Sequence, residues 1–260
     1  MFPRTLVLLA LLSSPCLASE VLPTDRVLPL IQDGGGWNTT ITIVNLEATP
    51  ARFELHLRTG FFKDWPLTVS GDNIKSIGGT VSGSVPANSS TTFRTVGAGP
   101  SERGYAMLYS LDGGRLGATC TIDQPLTGIS LNVPLIPERE DKLVIPFDNT
   151  EGAGTALVWL SETLFSLVDY RALNSDGTEI VSGRYQFSSQ NASSQEMFIL
   201  SERFPELKGR KGTFLMELNY PNTGLYDDLF FSAFAIQTMP SGALFSIRSM
   251  AGQTWKASKH

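Results

Sequence analysis

A segment near the start of this chain returns in its middle, and that repetition constrains the fold more than any other feature. Val27-Leu28-Pro29, followed by Gly34-Gly35-Gly36-Trp37-Asn38-Thr39, is answered by Val144-Ile145-Pro146-Phe147-Asp148-Asn149-Thr150 and Gly152-Ala153-Gly154-Thr155. A short apolar run leading into a Gly-rich turn, written twice, predicts one structural unit in two copies. Apart from an N-terminal leader of about 18 residues, the 260 residues then divide into two units of ~120, each large enough to bury its own core.

Alternation identifies the elements of the first unit. Phe53, Leu55 and Leu57 fall on one face of an extended chain, and Arg52, Glu54, His56 and Arg58 on the other. This is the pattern of an antiparallel strand with one wet face. Thr40 to Ile43 alternates likewise, as do Leu116, Ala118, Cys120 and Ile122, then Ile129, Leu131, Val133 and Leu135. Tyr105 to Tyr109 runs into Asp112-Gly113-Gly114, a hairpin signal. Gly78-Gly79 and Ser82-Gly83-Ser84 read as connecting segments, and Pro86-Ala87-Asn88 as a turn.

The second unit keeps the order. Ala156 to Leu160 is a strand, Val168, Tyr170 and Ala172 alternate, Asn174-Ser175-Asp176-Gly177 is a hairpin turn, and Arg184 to Phe187 is the strand beyond it. Gly212 to Met216 answers Gly104 to Leu108, Phe230 to Ile236 answers Leu116 to Ile122, and Asn191-Ala192-Ser193 answers Asn88-Ser89-Ser90. One insertion, Leu200 to Gly209 with Ser201 as its N-cap, reads as a single short helical turn. The expected fold is all-β: two tandem antiparallel β-sandwiches of immunoglobulin-like size, spanning 19–138 and 139–250, with a polar tail at 251–260.

The N-terminus predicts export. Arg4 supplies a positive start, Leu6 to Leu12 a short apolar core, and Cys16-Leu17-Ala18 a small-x-small cleavage site, so residues 1–18 read as a signal peptide cut after Ala18. The apolar run is too short to span a bilayer, and Pro15 fits poorly with lipidation of Cys16. Cleavage leaves Cys120 without a disulfide partner, as a small buried hydrophobe. The formal charge of −5 becomes more negative with the loss of Arg4, which argues against nucleic acid or an anionic membrane as partner.

The apolar-Pro motifs, the Pro146-Phe147-Asp148-Asn149 junction, and Ser201-Glu202-Arg203-Phe204-Pro205 with Gly209-Arg210-Lys211-Gly212-Thr213 carry a family likeness. Together they resemble a group of exported, uncharacterised two-module β-sandwich proteins common in soil bacteria of the acidobacterial type. The resemblance covers nearly the whole chain after residue 18 and implies an extracytoplasmic fold; it transfers no catalytic residue. This chain departs from the pattern after Gly60, where Phe61-Phe62-Lys63-Asp64-Trp65-Pro66 replaces a small polar turn.

That departure supplies the candidate site. Phe61, Phe62 and Trp65 cluster in a predicted loop, where their faces could stack on sugar rings or a protein partner; the alternative is that they fold back over the end of the sandwich. Trp37 and Trp159 are expected to pack, and Trp255 lies in the polar tail. With His56 and His260 as the two histidines, no Ser-His or Cys-His device is expected, and no zinc ligand set or Gly-x-Ser-x-Gly elbow is present. Asp148, Glu151, Asp227 and Asp228 are carboxylates in turn-rich segments that a glycoside hydrolase could use, although turn-capping suits them better. Asn174 to Glu179 matches the front of a calcium loop but reads as a hairpin turn. The expectation is a non-enzymatic exported structural or binding module, without cofactor or metal, meeting an envelope protein or polysaccharide. The competing reading is a carbohydrate-active hydrolase with a carboxylate pair on the loops.

Overall fold

The computed structural model describes residues 27–60, 63–136, 142–161, 167–186, 194–219 and 231–251. The segments 1–26, 61–62, 137–141, 162–166, 187–193, 220–230 and 252–260 therefore lie outside the described residues, and with them the predicted leader, Cys16, Asn191, Asp227, Asp228, Trp255 and His260.

The first half carries β1 (Val27–Asp33), β2 (Asn38–Asn45), β3 (Ala51–Thr59), β4 (Lys63–Asp64), β5 (Val69–Gly71), β6 (Ile74–Ile77), β7 (Thr80–Val85), β8 (Ser90–Thr95), β9 (Glu102–Ser110), β10 (Leu116–Gln124) and β11 (Ile129–Val133). The second carries β12 (Lys142–Asp148), β13 (Gly154–Ser161), β14 (Leu167–Asn174), β15 (Glu179–Gln186), β16 (Ser194–Ile199), the helical turn α1 (Leu200–Arg203), β17 (Lys211–Asn219), β18 (Phe231–Thr238), β19 (Leu244–Arg248) and β20 (Met250–Ala251). Sheet I runs β1-β9-β3-β7-β6 and sheet II β11-β10-β2-β8-β5; sheet III runs β20-β12-β17-β14-β15 and sheet IV β19-β18-β13-β16. All ladders are antiparallel, and among the described residues none joins the halves. The chain is thus two β-sandwiches in tandem, and each strand of the second except the two-residue β20 has its counterpart, in the same sheet order, in the first.

Repetition extends to single groups. Thr39 Oγ1 donates to the Gln32 carbonyl at 2.7 Å and accepts from the Gln32 amide at 3.1 Å. Thr155 Oγ1 does the same for Asp148, at 3.0 and 2.9 Å. One buried hydroxyl so closes each Gly-rich turn, satisfying backbone groups that the turn removes from the ladder. The glycines of the first turn are required where they stand: Gly34 has φ +75°, and a Cβ there would lie 2.0 Å from the Pro100 carbonyl oxygen.

Register accounts for the one-residue difference in length between the two apolar motifs. β1 shifts register against β9 between Leu28 and Ile31, so a β-bulge around Pro29 and Leu30 absorbs one residue that β12 lacks. Pro29 has no amide to offer a ladder, and a bulge in an edge strand is where it is tolerated.

The hairpin expected at Asp112-Gly113-Gly114 is corrected: β9 and β10 belong to different sheets, so this turn carries the chain from sheet I to sheet II. An apolar lead-in and a segment that reads as a connection are strands. The apolar lead-in before Gly34 is β1, and Ser82-Gly83-Ser84 lies inside β7. Small residues hid β7: a Cβ on Gly83 would sit 3.0 Å from the Phe53 ring and 2.9 Å from the Asn73 carbonyl oxygen. The helical turn is present, but it begins at Leu200 after Ile199 with no side-chain cap. Ser201 is inside the turn, because the β16 backbone feeds directly into it. Among the described residues no helix is long and apolar enough to cross a membrane.

The two sandwiches share apolar contact. The central strands of sheet IV, β13 and β18, are buried on both faces: Leu157, Trp159, Ala233 and Ala235 enter the second core, while Val158, Phe234 and Ile236 join the first core. Leu160 packs with Val27, Tyr105, Met107 and Ile136 of the first half. Gln195 Nε2 completes the seam, donating to the Pro29 carbonyl at 2.5 Å and the Gly104 carbonyl at 2.7 Å. The continuous apolar run of β13, with no wet face, is the sequence trace of this double burial.

Candidate functional site

At one end of the first sandwich, the Gly-rich turn after β1, the loop 96–101 after β8 and the segment 63–68 after β3 surround an open cavity of about 410 Å³. Backbone contacts fix its frame. The Gly35 amide donates to the Gly99 carbonyl at 2.9 Å, and the Trp65 amide to the Leu57 carbonyl at 3.0 Å. Asp33, at the end of β1, is buried and accepts the Gly97 amide on Oδ1 at 2.9 Å, tying one rim to the other.

Trp65 is the floor of this cavity, not an exposed platform. It is 4% exposed and belongs to the first core. A Cβ on Gly104 would meet its ring at 2.8 Å, so the indole lies against bare β9 backbone. The expected stacking role for Trp65 is corrected accordingly: β4 folds back on β3, pairing Arg58 with Asp64 and Thr59 with Lys63, and carries the following indole under the sandwich end. Phe61 and Phe62 lie outside the described residues.

Polar and apolar groups share the cavity evenly. Asp64 and Glu102 are exposed acids, Lys63 an exposed cation, and Thr59 and Thr68 supply hydroxyls. Arg58 holds Asp64 in an ion pair. Pro66, Leu67 and the rim residues Val96 and Pro100 add apolar surface. Donors and acceptors set beside compact apolar patches suit a polyhydroxylated ligand better than a purely apolar one.

The other sequence candidates are not gathered here. Asp148 accepts from the Thr150 amide at 2.9 Å and its hydroxyl at 2.5 Å, and these bonds hold its carboxyl below the usual carboxylate range. Glu151 is exposed on the adjoining turn. Asn174 to Thr178 is a hairpin turn: the Asn174 amide donates to the Thr178 carbonyl at 2.8 Å, and Asp176 Oδ1 accepts from Thr178. Glu179 pairs with Arg171 and Ser182. Among the described residues no three His, Cys, Asp or Glu side chains are grouped so that they could hold a metal ion. His56 stands on the outer face of sheet I, 3.1 Å from Glu54 and tilted against the Tyr109 ring. Cys120 is buried, and desolvation raises its thiol far above the ordinary range. Trp159 is fully buried among Tyr185, Phe198 and Phe231, and Trp37 is half-buried.

Asp33, Glu102 and the 96–101 loop are members of the site that the sequence did not single out. The signal that could have found them is the triple glycine, whose close approach to Pro100 brings the two loops together. Comparison with models of protein families, with curated proteins and with solved structures finds no match to this chain.

Proposed function

We propose that the chain is exported by its residues 1–18 and acts outside the cytoplasm as a non-enzymatic binding module of the cell envelope or secretome. On this reading its two immunoglobulin-like sandwiches form a rigid mount, and the cavity at the loop end of the first takes a polysaccharide. One observation carries it: an open, mixed polar and apolar cavity sits on loops pinned by backbone hydrogen bonds and by buried Trp65. Preorganised loops of this kind lower the ordering cost of binding a flexible glycan.

A hydrolytic reading has its own support, since Asp33, Asp64 and Glu102 line the same cavity. Two of the three are committed elsewhere, Asp33 to the Gly97 amide and Asp64 to Arg58, which weakens it.

The test is a binding screen of the leaderless chain against bacterial and plant polysaccharides, with Lys63→Ala and Glu102→Gln beside it. Both side chains are exposed, so both variants should melt with the parent. Loss of binding by about tenfold or more, worth ~1.4 kcal/mol, supports the site; a glycan bound equally by all three chains refutes it. Release of reducing ends during incubation would replace the binding reading with the hydrolytic one. N-terminal sequencing of the exported protein is expected to start at Ser19.

A further inference from the structure

The repeat makes a prediction about a surface. In the first sandwich, Val27 pairs with Met107 across β1 and β9, and Val27 bridges to Ile136, the segment that crosses over after β11. In the second, Val144 pairs with Leu215 across β12 and β17, and with Met250 of β20, which crosses over after β19. Gly104 and Gly212 stand at the same ladder positions, three residues before Met107 and Leu215 respectively. The row Ile136-Val27-Met107 therefore corresponds residue for residue to Met250-Val144-Leu215.

The two rows have different fates. The first is buried under Leu160, from the outer face of sheet IV. Met250 is 57% exposed, and Val144 and Leu215 are half-buried. Val144 and Leu215 floor a trough of about 740 Å³ on the outer face of sheet III, with Leu173 beside them. Ion pairs rim it: Lys142 with Glu217 at 2.7 Å and Arg171 with Glu179 at 2.5 Å. An apolar row that is covered in one copy and open in the other is a docking surface without its occupant.

The same molecule also carries the matching surface. Leu160 and Val158 lie on the outer face of sheet IV, and their neighbours on edge strand β16 are Gln195 and Met197; Ile199 stands opposite Ala156. Gln195 reaches the first sandwich, but Met197 and Ile199 are each 41% exposed. The sheet face that covers the first row thus continues, uncovered, into two aliphatic side chains. We propose that the trough on sheet III receives β16 of a second copy of this chain, through Met197 and Ile199. Trough and strand are different surfaces of one molecule, so the contact is heterologous and propagates head to tail.

Sedimentation velocity and light scattering of the purified chain over a concentration series test this. The expected result is a mass that rises past the dimer with concentration. Leu215→Arg and Met197→Arg should each be monomeric and melt with the parent, and their equimolar mixture should form a dimer that grows no further, because each partner keeps one working surface. If either variant melts early, Val144→Lys and Ile199→Lys take its place in the same scheme. A parent chain that stays monomeric, a variant that assembles like the parent, or a mixture of folded variants that stays monomeric would each overturn the proposal.

Discussion

The two sandwiches use one framework and protect it differently. Both close the Gly-rich turn with a threonine hydroxyl, and both bring a bare glycine against a neighbouring carbonyl: a Cβ on Gly104 would lie 2.1 Å from the Arg58 oxygen, and one on Gly212 1.9 Å from the Leu173 oxygen. They part at the ends. The first fills its end from the β3–β7 connection, with Trp65; the second fills its end from the β16–β17 connection, where Phe204 and Leu207 enter the core and Arg203 lies over the Tyr185 and Phe198 rings. They part again on the outer sheet face, covered in the first and open in the second. The ladder and the turn clamp are thus invariant under duplication, whereas whatever seals exposed apolar edge is free to differ, because any side chain of suitable volume can do it.

The equivalence can be broken most severely at the glycines. Gly104→Ala and Gly212→Ala each force a methyl into backbone that cannot retreat, so each should cost more than about 3 kcal/mol, at or beyond the upper end of overpacking costs. Urea denaturation of the two variants measures this; a marginal effect at one site with a large effect at the other would show that the two crossings are not equivalent.

Coupling between the halves is tested by Leu160→Ala. Removing a buried leucine from the seam should cost about 3 kcal/mol and turn a single unfolding transition into two. Calorimetry resolves the outcome, and one unchanged cooperative transition would mean that the halves are held together by something other than this contact.

The threonine clamps give the smallest and most comparative effect. Thr39→Val and Thr155→Val each strip two backbone partners, at roughly 1–3 kcal/mol. Thr155 should be the costlier, since its single hydroxyl proton is shared between the Asp148 carbonyl and Gln237 Oε1, 2.9 Å away in a buried network. Equal midpoint shifts in denaturant would remove that distinction.

Much of the fold was legible because its determinants are local. Phe53, Leu55 and Leu57 alternate with charged residues and are all buried, and Asp176-Gly177 makes the β14–β15 hairpin that its backbone preferences favour. Asp112-Gly113-Gly114 carries the same local signal and makes no hairpin, because the partners of β9 and β10 lie elsewhere in the chain. β7 was illegible because its residues are chosen by what lies across from them, the Phe53 ring, and not by their own propensity. The candidate site was half legible. The run after Gly60 marked the right end of the sandwich, but Trp65 turned inward, since nothing in a tryptophan's immediate neighbours says whether a bare glycine such as Gly104 awaits it.

By itself the sequence determined the repeat, the all-β class, the antiparallel pairing within each half and the short helical insertion, since these follow from periodicity, turn chemistry and self-similarity along the chain. Tertiary structure decided that Trp65 is a floor, that Asp33 and Glu102 share its cavity, and that sheet IV serves two cores. It also decided that Val27 is covered while Val144 is not, although the two sit in the same local sequence. The physical reason is that burial is a property of pairs of surfaces: a row of aliphatic side chains carries the same pattern whether or not Leu160 lies on top of it.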